Sequence, residues 1–119
     1  MIEDEYKLDR CSPLCKMIVS ALDTKFGSVK VNSGSRTQAE NTSAGRASDS
    51  MHLQGRAVDV SVRNVHVIKI ANFLLENILK YPWTRMAINL SENFVHFDDK
   101  ESVEVPTVRF YYKGAWAKW

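Results

Sequence analysis

Between residues 56 and 62 the chain reads RAVDVSV, an alternation that puts Val58, Val60 and Val62 on one face and Ala57, Asp59 and Ser61 on the other. Period-two patterning predicts a half-buried strand whose valines enter the core. The segment NFVHFD at 93–98 alternates in the same way, with Val95 and Phe97 on one face and Phe94, His96 and Asp98 on the other. Further strands are predicted at 28–32 (SVKVN), 85–90 (RMAINL) and 108–113 (VRFYYK), and Ser91-Glu92 forms the turn of a hairpin between 85–90 and 93–98.

Helical spacing occurs twice. Ser12-Pro13 is a helix-start signal, and Leu14, Met17, Ile18, Ala21 and Leu22 follow at helical intervals until Phe26-Gly27 closes the element. Val65, Ile68, Ala71, Leu75 and Leu79 make a second stripe over 65–79, which Tyr81-Pro82 stops. The polar, small-residue segment TQAENTSAGRASDS (37–50) is unpatterned apart from a short helical stretch near 37–44, and is expected to form the loop-rich wall of a site. Two main helices with several strands, two of them in a hairpin, predict an α+β domain on a mostly antiparallel sheet, with residues 1–119 as one domain.

Composition narrows the function. With 45% hydrophobic and 25% charged residues the chain reads as an ordinary globular domain with a core of its own. Sixteen Lys and Arg stand against 14 Asp and Glu with no basic block to track phosphates, so nucleic acid is not an implied partner. No apolar run approaches the ~20 residues of a membrane span. The polar start MIEDEYKLDR lacks the layout of a secretory signal, so synthesis as a soluble cytoplasmic protein is expected, with another route out for any work outside the cell. If their segment is helical, Cys11 and Cys15 fall on one face four residues apart, a poor geometry for a disulfide, and two thiols alone cannot close a zinc site; free, buried or half-buried thiols are expected.

If 56–62 and 93–98 share a sheet with their core faces aligned, Asp59 and His96 point to the same side. His52 precedes that strand in SDSMHLQGRAVDV, and Gly55 permits the tight backbone approach that folds it over the same side. Two imidazoles and one carboxylate give three ligands and leave a fourth position for water, the composition of a catalytic zinc site. A capping histidine and a surface aspartate are the plainer reading of the spacing alone.

The segment Ser50-Met-His52-Leu-Gln-Gly55-Arg-Ala57-Val-Asp59 resembles the SxHxxGxAxD motif of the M15 zinc peptidases, the D-Ala-D-Ala carboxypeptidase and phage endolysin group with the Hedgehog/DD-peptidase fold. Upstream, Ser33-Gly34-Ser35-Arg36 is similar to the family's SGYR segment with Ser35 in place of the aromatic. Downstream, Phe94-Val95-His96-Phe97-Asp98 is similar to its FVHxD strand. The resemblance spans about two thirds of the chain, and implies a zinc ion held by His52, Asp59 and His96, with Arg36 binding substrate and steadying the oxyanion.

The general base departs from the family's pattern. Relatives place a Glu three residues, or a His two residues, before the third ligand, where this chain has Asn93 and Phe94. Glu92, one residue further back, is the first candidate, reachable by a one-residue slip or a bulge. Asp98 is the second, with a role orienting a ligand imidazole preferred for it. In plainer terms Glu92 is a polar turn residue, Asp98-Asp99 a solvated strand end and Arg36 an exposed loop arginine. His66 reads as structural, Ser50 as a cap beside His52, and Trp83, Trp116 and Trp119 as core or edge packing.

The reading implied by the resemblance is a zinc metallopeptidase, expected to be monomeric, acting on peptidoglycan stem peptides, in a small phage-type lysis or virion-associated version. The alternative is a zinc-binding module of the same fold without catalysis; a metal-free structural protein is the third possibility.

Overall fold

Ser12 caps the first helix as its place before Pro13 predicts: its hydroxyl accepts a hydrogen bond from the Cys15 amide at 3.4 Å, and α1 runs Pro13–Phe26. Gly27 ends it at φ 85°, a backbone region that side-chain-bearing residues avoid. The computed structural model describes residues 1–34, 51, 54–101, 103–113 and the backbone of 115–118. The predicted stretch at 37–44 lies outside the described residues, as do Arg36, Ser50, His52 and Trp119.

Six strands form one sheet: β1 Val29–Ser33, β2 Ala57–Val62, β3 Arg85–Asn89, β4 Phe94–Asp98, β5 Thr107–Tyr112 and β6 Ala115–Lys118. Their spatial order is β1-β2-β4-β3-β5-β6, and every neighbouring pair is antiparallel except β3 and β5. The molecule is thus α+β with a mostly antiparallel sheet. β6 and a short 3-10 turn at Glu5–Leu8 were not predicted, because four-residue elements carry too few positions to show a period. The Glu3 amide donates to the Val29 carbonyl and the Val31 amide to the Glu3 carbonyl, so the N-terminal segment covers the outer edge of β1.

The second helix, α2, spans Val67–Glu76, shorter than the predicted 65–79. His66 is its N-cap, with Nδ1 accepting from the Ile68 amide at 3.1 Å, in keeping with a structural role. Its buried residues are Val67, Ile70, Ala71 and Leu74, whereas Ile68 and Leu75 are 37% and 45% exposed and Leu79 lies past the helix end. VIKIANFLLE carries two apolar stripes side by side, and the sheet selects the one not predicted. The α1 stripe turns likewise, burying Cys15, Ile18, Val19 and Leu22 and leaving Met17 half exposed.

Both helices bring these residues against Val29, Val31, Val58, Val60, Val95, Phe97, Met86 and Ile88 in a single core cluster. Trp83 is fully buried in that cluster, and its indole N–H donates to the Leu74 carbonyl at 2.8 Å. The strand alternation therefore assigns Asp59, Ala87, His96, Arg85 and Asp98 to the face away from the helices.

Candidate functional site

On that second face β2 and β4 run side by side in a register that sets Asp59 directly across from His96. The pairing brings His96 Nδ1 to 2.8 Å from Asp59 Oδ1. The other ring nitrogen, Nε2, is 2.8 Å from Asp98 Oδ2, so the imidazole lies between two carboxylates. Cross-strand position supplies the first partner and the two-residue strand repeat supplies the second.

Asp98 is itself held. Arg85 faces it across β3 and β4 and donates from Nε to Oδ1 at 2.9 Å and from Nη2 to Oδ2 at 2.8 Å, while the Lys100 amide reaches Oδ1 at 3.3 Å. The carboxylate is 1% exposed, and a carboxylate so far from water is retained as a charge only with such partners. Burial pushes the Asp98 carboxyl up, but the hydrogen bonds from His96 and Arg85 outweigh it and bring its pKa down to about 2. Burial alone would lower His96; the hydrogen bonds to Asp59 and Asp98 reverse that and raise it to about 9. The site thus sets one imidazole between two carboxylates, one of which is also paired with the Arg85 guanidinium.

The loop that precedes β2 is anchored by its glycines. Gly55 has φ 67°, and a Cβ there would run into the Arg10 carbonyl oxygen; a Cβ on Gly34 would run into that of Lys7. The Ser12 amide also donates to the Gly55 carbonyl at 2.7 Å. The turn leading into α1 therefore packs against both Gly34, just after β1, and Gly55, just before β2. Cys11, buried, lies in this packing, its Sγ donating to the Lys7 carbonyl, and Cys15 is buried in the first turn of α1; neither is in a disulfide. Arg56 runs from the same loop to Asp99, Nε to Oδ1 at 2.8 Å, tying the start of β2 to the end of β4.

Of the residues singled out from sequence, Asp59, His96 and Asp98 are brought together, while His52 and Arg36 lie outside the described residues. Glu92 is exposed in the β3–β4 turn, and its amide donates to Asn89 Oδ1 at 2.8 Å. No hydrogen bond or ion pair joins its carboxylate to Asp59, His96 or Asp98 among the described residues. Asn93, in the position where the M15 pattern has glutamate, adopts φ 58° and turns its side chain toward α2, where Oδ1 accepts from the Val67 amide at 3.3 Å. Arg85 was missed because it becomes significant only through its register partner.

Among the described residues no three metal-ligating side chains converge on one point. The described part nevertheless fits a metal: an imidazole nitrogen and a carboxylate oxygen meet at 2.8 Å, and a carboxylate backs the ring's far nitrogen, an arrangement that orients zinc-binding histidines. The family model for Peptidase M15 matches residues 7–98, most of the chain and all of β1 to β4. The chain belongs to the peptidase M15 family. Neither the curated proteins nor the solved structures give a match.

Proposed function

We propose that the chain is a zinc-dependent peptidase of the Hedgehog/DD-peptidase fold, cleaving peptide bonds in peptidoglycan stem peptides. The observation that carries this reading is the 2.8 Å approach of His96 Nδ1 to Asp59 Oδ1 on the face opposite the helices, in a chain of the M15 family. Asp59 and His96 would hold the ion together with His52, whose place in SxHxxGxAxD supports the third ligand. When bound, zinc polarises a carbonyl and makes water a nucleophile near neutral pH.

The protein's own groups divide the remaining work. Asp98 accepts from His96 Nε2 and fixes the ring so that Nδ1 faces Asp59. Its two oxygens already take five contacts, from His96, the Lys100 amide and Arg85, whose Nε reaches both, which leaves little capacity to accept a proton from water. Glu92 has no such partners among the described residues and is the proposed base, delivering the proton to the leaving amine. Arg36 would steady the developing oxyanion with a charge that it never loses. D-Ala-D-Ala and endolysin-type bonds are both within this substrate class.

A second reading, a zinc-binding module without catalysis, is favoured by one observation. Asn93 accepts from the Val67 amide at the start of α2 where relatives carry the catalytic glutamate, and Glu92 stands on the outer turn. Incubating the zinc-loaded protein with purified peptidoglycan and with a D-Ala-D-Ala peptide separates the two. New amino termini or free D-Ala support the peptidase; zinc binding with no product from either substrate supports the module.

A further inference from the structure

We propose that Arg85 is a positioning residue for the metal ligand His96, acting through Asp98. The inference rests on the reading of Asp59 and His96 as ligands and goes beyond it by naming what holds their geometry.

Arg85 and Asp98 are cross-strand partners on the face that carries His96. The Asp98 side chain is fully enclosed, whereas that of Arg85 is 37% exposed, so the guanidinium reaches in from the surface to a carboxylate that water does not reach. Its fork spans both oxygens, Nε to Oδ1 at 2.9 Å and Nη2 to Oδ2 at 2.8 Å, which fixes the plane of the carboxylate and not just its charge. Oδ2, held in that plane, is the oxygen that meets His96 Nε2 at 2.8 Å.

Rotation of the carboxylate about its last bond would carry Oδ2 away and release the ring, which could then turn or offer its other nitrogen. With the fork in place, Nε2 stays committed to Asp98 and Nδ1 is the nitrogen presented toward Asp59. A lysine at position 85 would supply the charge but, as a single point, could not set the plane.

An arginine that merely strengthened the sheet would affect stability and nothing else. The test therefore reads metal geometry on the full chain, using zinc titrated against a competing chelating dye, and cadmium-113 bound to protein labelled with nitrogen-15 in histidine. In the wild type, cadmium coupling to His96 Nδ1 is expected. Arg85→Gln should weaken zinc binding on the order of tenfold and let coupling spread to Nε2; Arg85→Lys, which keeps a cation beside Asp98 and so the fold, should weaken it several-fold. Wild-type zinc affinity with coupling confined to Nδ1, in whichever of the two variants folds, overturns the proposal. Absence of coupling to either His96 nitrogen in the wild type would instead overturn the ligand assignment on which it rests.

Discussion

Asp59 and His96 sit opposite one another on adjacent antiparallel strands, and the register closes their side chains to 2.8 Å on the face away from the core. Neither residue serves the hydrophobic packing, which Val58, Val60, Val95 and Phe97 accomplish from the other face. A pair so placed is open to change without loss of the core, and the expectations below depend on that separation.

Replacing His96 with Ala, or Asp59 with Ala, should abolish stoichiometric zinc binding while leaving a folded protein. Metal content after dialysis, measured by atomic emission beside a circular dichroism spectrum, checks this. Wild-type zinc content in either variant would remove that residue from the ligand set. By the same reasoning a strong chelator should end peptidase activity, and added zinc should restore it.

Glu92→Gln should lower turnover by roughly 10²–10⁴-fold with zinc content unchanged, the range expected for loss of a general acid-base group. Asp98→Asn, by contrast, should lower zinc affinity as well as turnover, because it loosens the His96 ring. If Glu92→Gln retains full turnover, the proton is carried elsewhere.

Gly55→Ala should destabilise the fold by more than about 1–2 kcal/mol, the cost of a left-handed backbone with a side chain, since the new methyl also meets the Arg10 carbonyl. Gly27→Ala is strained as well, at φ 85° and ψ −130°, but its methyl would have no neighbour within 4 Å and so lacks the clash that Gly55→Ala adds. Urea denaturation of Gly55→Ala beside the wild type checks this, and an unchanged stability would mean that the loop shifts away from Arg10 at no cost.

Cys15 gives a pH dependence outside the candidate site. Burial pushes its thiol up from the usual 9.0 to about 12, so the folded chain keeps the proton while the unfolded chain gives it up. The stability contribution is fully present below pH 9 and is lost as pH rises from 9 toward 12, with a slope of about 1.4 kcal/mol per pH unit. Denaturation midpoints at pH 8 and pH 10 should fall further for the wild type than for Cys15→Ala. Equal falls in the two proteins would show that the thiol ionises alike in both states. Thiol reagents at neutral pH should modify Cys15 only after unfolding.

Much of the architecture was legible where a strict period ran through the residues. RAVDVSV and NFVHFD announced which side chains would share a face, because strand alternation is a property of the backbone and does not depend on neighbours. Ser12-Pro13 placed the start of α1 for an equally local reason: the cap and the fixed proline φ act within one turn. In α2 the pattern misled, since two apolar stripes lie side by side and only contact with the sheet chooses between them.

What the sequence determined by itself is therefore local: the faces of β2 and β4, the helix start, the glycines where the chain must bend, and the motif that marks the family. Tertiary structure decided the rest. That β4 lies between β2 and β3, that β5 joins β3 in parallel, and that Arg85 stands across from Asp98 are matters of register between segments far apart in the chain. Register is set by how all the strands bury their apolar faces at once, so no single segment encodes it. A solvated strand end was the plainer reading of Asp98 in the sequence; folding encloses it among Arg85, His96 and Lys100 because its strand is an interior one with a partner on each side.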